Sequence, residues 1–173
     1  NTHLYKTDAW YRLLNCGFIV PPMAGTDLPN FGFRDPWQPL LGEVRTYVRC
    51  GAKHDFETWK QAVKNGRTFV TSGPLIALEI DGQGPGGVVR LPASEGRVKI
   101  KASLASPRPL NSLEVVRMGE ALSVRPTHSQ NDGVHRLVIE QELKVDRSCW
   151  IAARGTGGPK TAVERGLGIK QSE

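Results

Sequence analysis

Beyond Pro74 the chain offers one short extended segment after another with no helical interruption, and this pattern narrows its architecture more than any other feature. Leu75 to Ile80, Val88 to Leu91, Arg97 to Leu104, Leu113 to Met118, Ala121 to Val124, Val134 to Leu143 and Ser148 to Ala153 all read as strands. In the third run Val98, Ile100, Ala102 and Leu104 alternate with Lys99, Lys101 and Ser103. A period of two turns one set of side chains to a core and the other to water. Asp81-Gly82 and Gly119-Glu120 stand where tight turns are expected. Short strands joined this way predict an antiparallel β-sandwich over residues 74–154, followed by a loosely ordered tail, 155–173.

Residues 1–73 have a different texture, mixing helix and strand signals without a complete core pattern of their own. Thr7 or Asp8 can cap a helix over Ala9 to Asn15 that Gly17 stops, with Trp10, Leu13 and Leu14 on one face. Phe18-Ile19-Val20 reads as a short strand. Pro29 to Gly42 is too rich in proline and glycine to be a regular element. Val44 to Arg49 alternates as a strand does. Asp55 is an N-cap candidate for a second helix carrying Phe56, Trp59 and Val63 on one stripe and ended by Gly66. Thr68 to Thr71 follows as a strand.

Charge separates some functional classes. The net charge of +6 raises the question of nucleic acid, but the excess is spread evenly. Residues 1–73 hold 9 Lys/Arg against 6 Asp/Glu, and residues 74–173 hold 14 against 11. No basic stripe results, so no nucleic-acid partner is expected. No run is long and apolar enough to span a membrane. Cys16, Cys50 and Cys149 form no Cys-x-x-Cys pair, which leaves buried free thiols as the expectation. Of the four tryptophans, Trp10, Trp59 and Trp150 fall at expected core positions and Trp37 in the proline-rich loop. Compartment is not readable from this composition.

Few residues are placed to do chemistry. Asp27 follows a small, apolar approach and precedes Leu28-Pro29, so it sits in a loop after a strand. It is either a turn aspartate bonded to its own backbone or a hard oxygen ligand for a divalent metal. Arg45 and Tyr47, two apart on a strand, share a face. They can contact an anionic or carbonyl group, or simply pack against neighbouring strands. Arg67 reads as a charge at a helix end, His3 as a terminal residue and His54 as a surface cap. His128 and His135 match no zinc spacing and are assigned no chemistry. Glycines 82, 84, 86 and 87 lack the helix and Lys-Ser/Thr pair of a phosphate loop and form a hairpin turn.

Several ordered runs resemble a known family. Trp10-Tyr11-Arg12-Leu13-Leu14-Asn15-Cys16-Gly17-Phe18, Ala24-Gly25-Thr26-Asp27, Val44-Arg45-Thr46-Tyr47-Val48, Gly66 to Leu75 and Cys149 to Arg154 are similar to the CehA/McbA-type metallohydrolases. Those enzymes belong to the polymerase-and-histidinol-phosphatase (PHP) superfamily. The resemblance implies an α+β chain: a partial PHP-type (β/α) barrel segment at 1–73, then an antiparallel immunoglobulin-like β-sandwich. It implies the C-terminal portion of a hydrolase that cleaves an ester, carbamate or phosphoester of a small-molecule substrate. Asp27 would be one ligand of a divalent metal (Zn, Mn or Fe) in the complete enzyme, and Arg45 and Tyr47 would shape the pocket. The family's His-x-His motif is absent here, and Pro29 stands where an Asp-x-His pattern would put histidine. The chain alone therefore offers too few ligands to retain metal, and inactivity is expected. The open edge of a partial barrel predicts self-association or pairing with an upstream barrel segment. The alternative is a non-catalytic β-sandwich binding or interaction module.

Overall fold

Three two-residue turns punctuate the strands of the larger part of the molecule. Asp81-Gly82, Met118-Gly119 and Asp132-Gly133 each place both central residues at positive φ, between 48° and 98°. That is the backbone of a hairpin turn matched to the right-handed twist of paired strands. In the computed structural model, which describes residues 2–26, 42–91 and 96–157, these turns organise two antiparallel sheets. The first contains β3 (Leu75–Ile80), β4 (Gly96–Ser106), β7 (Thr127–Asn131) and β8 (Val134–Val145), in the order β3-β4-β8-β7. The second contains β5 (Leu110–Arg117), β6 (Glu120–Ala121) and β9 (Ile151–Gly157), in the order β6-β5-β9.

The sheets share one core. Val98, Ile100, Ala102 and Leu104 of β4 meet Leu113 and Val115 of β5 and Leu137 and Ile139 of β8, and all are buried. The alternation along β4 is as its sequence requires, with Lys99 and Lys101 in water. Two antiparallel sheets over a common apolar layer are compatible with a β-sandwich. On the outer face of the four-stranded sheet Lys101 pairs with Glu140 at 2.7 Å and Arg97 with Glu142 at 3.7 Å. Basic and acidic strands thus stand side by side there, in agreement with the even charge distribution.

The N-terminal part supplies two helices and a strand pair. α1 (Thr2–Asn15) lies against the outer face of the three-stranded sheet. Tyr11, only 6% exposed, meets Trp150 with ring centroids 5.0 Å apart, while Trp10 lies 6.5 Å from the same indole. The Arg154 guanidinium reaches both the Tyr11 hydroxyl and Glu114. Burial is the larger influence on Tyr11, and it pushes the phenol pKa up despite that cation. Val116 is fully buried on the face opposite Val115, the face that also carries Glu114.

β1 (Arg45–Val48) and β2 (Thr68–Thr71) form a separate antiparallel ribbon joined through α2 (Phe56–Lys64). Asp55 caps α2 by accepting from the Thr58 amide at 2.8 Å. At the other end Gly66, at φ +71°, lets the Arg67 amide reach back to the Ala62 carbonyl. This cap fits closely against the turn after β3: a Cβ on Gly86 would overlap the Asn65 carbonyl oxygen. The glycines at 82–87 therefore mark a backbone-to-backbone approach as well as a hairpin turn.

The fold departs from sequence expectation in several places. α1 begins at Thr2 rather than Ala9, so Thr7 and Asp8 lie inside it, and among its described side chains the buried one is Tyr11 rather than Leu13. Phe18, Ile19 and Val20 form no strand, because no described strand lies alongside to complete a ladder. Val88 to Leu91 likewise stays outside the sheets, since β3 pairs with β4 instead, although Val89 and Leu91 pack against the core. β7 falls where the sequence suggested no strand. On α2 the buried residue is Ala62, while Phe56 is 68% and Trp59 41% exposed, so the apolar stripe does not face a core. The three cysteines are free, but Cys16 is exposed and Cys50 and Cys149 are only half-buried. β9 continues to Gly157, into the stretch expected to be loose. These elements contain antiparallel sheets and two helices, and no (β/α) barrel segment is visible among the described residues.

Candidate functional site

The surface that gathers the sequence-predicted side chains is one face of the β1–β2 ribbon. Register pairs Arg45 with Thr71 and Tyr47 with Phe69, so these four side chains share a face. Tyr47 and Phe69 stack with centroids 5.0 Å apart and planes within 4°. The Arg45 guanidinium carbon lies 5.9 Å from the Tyr47 ring centre, within cation–π reach. Tyr47 remains 38% exposed and Arg45 is exposed. The arrangement offers a flat aromatic surface with one fixed positive charge at its border, suited to a planar or anionic group. Tyr47 also packs within the ribbon, so its packing role and any contact role coexist.

Hydroxyl groups stitch the loop before Asp27 to this ribbon. Thr46 Oγ1 accepts from the Ala24 amide at 2.9 Å and donates to the Ala24 carbonyl at 2.8 Å. Thr68 Oγ1 donates to the Pro22 carbonyl at 2.9 Å. Thr26 is buried, accepts from the Gly42 amide at 3.0 Å and donates to the Val44 carbonyl at 3.3 Å. Threonine favours strands and carries a donor and an acceptor, which is why it suits a seam between a ladder and an irregular segment. Asp27 itself lies outside the described residues, as does Trp37.

Other candidates are dispersed. His54 is exposed beside Asp55, which is the actual cap, and Arg67 is exposed past the end of α2. An open groove of about 420 Å³ beside α2 is lined by Cys50, Glu57, Thr58, Gln61, Ala62, Asn65 and Arg67. It includes neither Arg45 nor Tyr47 and is a different surface. No three or more His, Cys, Asp or Glu side chains converge into a metal-binding group among the described residues. No described helix is long and apolar enough to cross a membrane. His128 and His135, assigned no chemistry from their spacing, are brought together: their rings stack 5.7 Å apart. The signal for this was Asp132-Gly133, a hairpin turn midway between them.

Comparison with family models, curated proteins and solved structures finds no match to the chain.

Proposed function

We propose that the chain is the C-terminal portion of a metal-dependent hydrolase of the CehA/McbA type, acting on an ester, carbamate or phosphoester of a small molecule. In this reading residues 1–73 contribute a partial PHP-type barrel segment, and residues 74–154 an immunoglobulin-like β-sandwich. Asp27 supplies one oxygen ligand to a divalent metal in the complete enzyme, where the metal activates water. Arg45 stabilises charge developing on the substrate, and Tyr47 and Phe69 form a wall of the pocket. The observation that carries the proposal is the partly open β1–β2 face, where Arg45 and Tyr47 are exposed beside half-buried Phe69. A two-stranded ribbon is marginal by itself, and stacked aromatics beside an arginine left in water fit a surface completed by more polypeptide.

The test compares this 173-residue chain with a longer product that includes a His-x-His segment. Loaded with Zn, Mn or Fe, the longer protein should hydrolyse activated esters, carbamates or phosphoesters, and Asp27→Asn should abolish turnover. The short chain should bind no metal tightly and turn over nothing. Robust activity of the short chain would refute its incompleteness, and an inert longer protein would remove the hydrolase assignment.

A second reading rests on the shared core of β4, β5 and β8, which is self-contained. Under it the sandwich is a non-catalytic interaction module with residues 1–73 as an accessory. Partner binding retained after deletion of 1–73 would favour that module.

A further inference from the structure

The geometry points to a two-histidine cation site on the β7–β8 hairpin, formed by His128 and His135 and separate from the site proposed around Asp27. The turn creates it. With Asp132 and Gly133 as central residues, Asn131 pairs with Val134, Gln130 with His135 and His128 with Leu137. Directly paired residues share a sheet face, and so do residues two apart along a strand. His128, Gln130, His135 and Leu137 therefore lie on one face. Leu137 is 6% exposed, so this is the face turned toward the core. The histidines sit at its margin, where water enters: His128 is exposed on edge strand β7 and His135 is half-buried.

The rings are near enough neighbours to reach one ion once they turn. A zinc–imidazole bond of about 2.0–2.1 Å puts each ring centre roughly 3.2 Å from the metal, so two rings on a tetrahedral ion lie about 5.2 Å apart. The observed separation is 5.7 Å, with the ring planes 11° apart. A square-planar cis pair needs about 4.5 Å, a poorer fit. Stacked rings aim their in-plane nitrogens along nearly parallel planes, so binding requires both imidazoles to rotate about their side-chain bonds until one nitrogen of each meets the ion. The ligand class is a late first-row divalent cation that accepts imidazole, of which zinc is the probe used below. No third His, Cys, Asp or Glu joins the pair among the described residues. The other coordination positions therefore fall to water, and the bound ion exchanges readily.

Calorimetric titration of the full chain with zinc chloride tests the site. Wild type should take up one ion at the hairpin, and His128→Gln or His135→Gln should each weaken that uptake about tenfold or more. His54→Gln should leave it unchanged. Imidazole nitrogen resonances in wild type should shift with zinc at His128 and His135 and at no other histidine, a readout that needs no variant to fold. Zinc uptake that survives the double variant, held by the thiols or near Asp27, would show that the hairpin is not the site. Absence of any zinc-induced shift at the two rings would overturn the inference outright. Neither result bears on hydrolysis by a longer protein.

Discussion

The indole nitrogen of Trp150 donates to the side-chain oxygen of Asn15 at 2.7 Å, joining residues 135 positions apart. The same asparagine donates to the Met118 carbonyl at 3.4 Å, and Trp10 ties α1 to the following loop through Val20 at 2.8 Å. One tryptophan at the head of β9 thus fastens the first helix to the second sheet by stacking and by hydrogen bonding. Trp150→Ala should lower unfolding free energy by about 2–4 kcal/mol, since it removes a large aromatic from a partly covered seam. Trp150→Phe keeps most of the stack and should cost about 1 kcal/mol more than a neutral change. Urea denaturation monitored by circular dichroism separates the two; equal losses would mean that the stack contributes little.

Gly86 should tolerate no side chain. The Cβ of Gly86→Ala would collide with backbone at Asn65, which cannot rotate away as a side-chain tip could. A loss of about 2 kcal/mol or more is expected, whereas Gly133→Ala, which meets no neighbour, should lose only about 1 kcal/mol from its left-handed backbone. Thermal midpoints of the two variants check the order.

Burial predicts the ranking of core substitutions. Ile139, 1% exposed, should cost about 2–5 kcal/mol on Ile139→Ala through lost transfer energy and a cavity. Val88, 62% exposed and outside the sheets, should fall within about 0.5 kcal/mol of wild type on Val88→Ala. A comparable cost at both positions would contradict the placement of the core.

Acid should weaken the cap of α2. The Asp55 carboxyl is held below its ordinary pKa, first by Lys53 and then by the Thr58 amide. A depressed carboxylate contributes stability that is complete above the ordinary range of about pH 4 and fades as pH falls below it. Asp146, lowered mainly by Arg117, behaves in the same sense. Stability measured against pH should therefore decline less steeply in acid for Asp55→Asn than for wild type. A parallel decline would assign the acid sensitivity elsewhere.

The β1–β2 face separates packing from contact. Arg45→Ala should leave stability within about 0.5 kcal/mol, because the side chain is exposed. Tyr47→Ala should cost about 1 kcal/mol through loss of the Phe69 stack. In a longer, active protein the proposal expects Arg45→Ala to reduce turnover about a hundredfold or more.

What could be read from the chain follows the range of the forces involved. Alternation along β4, the Asp55 cap and the Gly66 stop are local, and they emerged from residue spacing alone. The seam between Tyr11, Trp150 and Arg154 depends on residues far apart in sequence, so a helical face chosen by periodicity selected Leu13 instead. Phe18 to Val20 has strand composition without a strand beside it, and composition alone cannot supply a neighbour. At the candidate site, the common side of Arg45 and Tyr47 followed from a period of two. Their stacking partner Phe69 required the register of β2, and the ring contact of His128 with His135 required recognition of the Asp132-Gly133 turn.

The seam also sets an order of events during synthesis. α1 emerges from the ribosome long before Trp150 exists, so the flank of Tyr11 stays wet until β9 has been translated. This helix is then among the latest of the described pieces to dock, and a nascent chain stalled short of β9 would present its aromatic flank to chaperones.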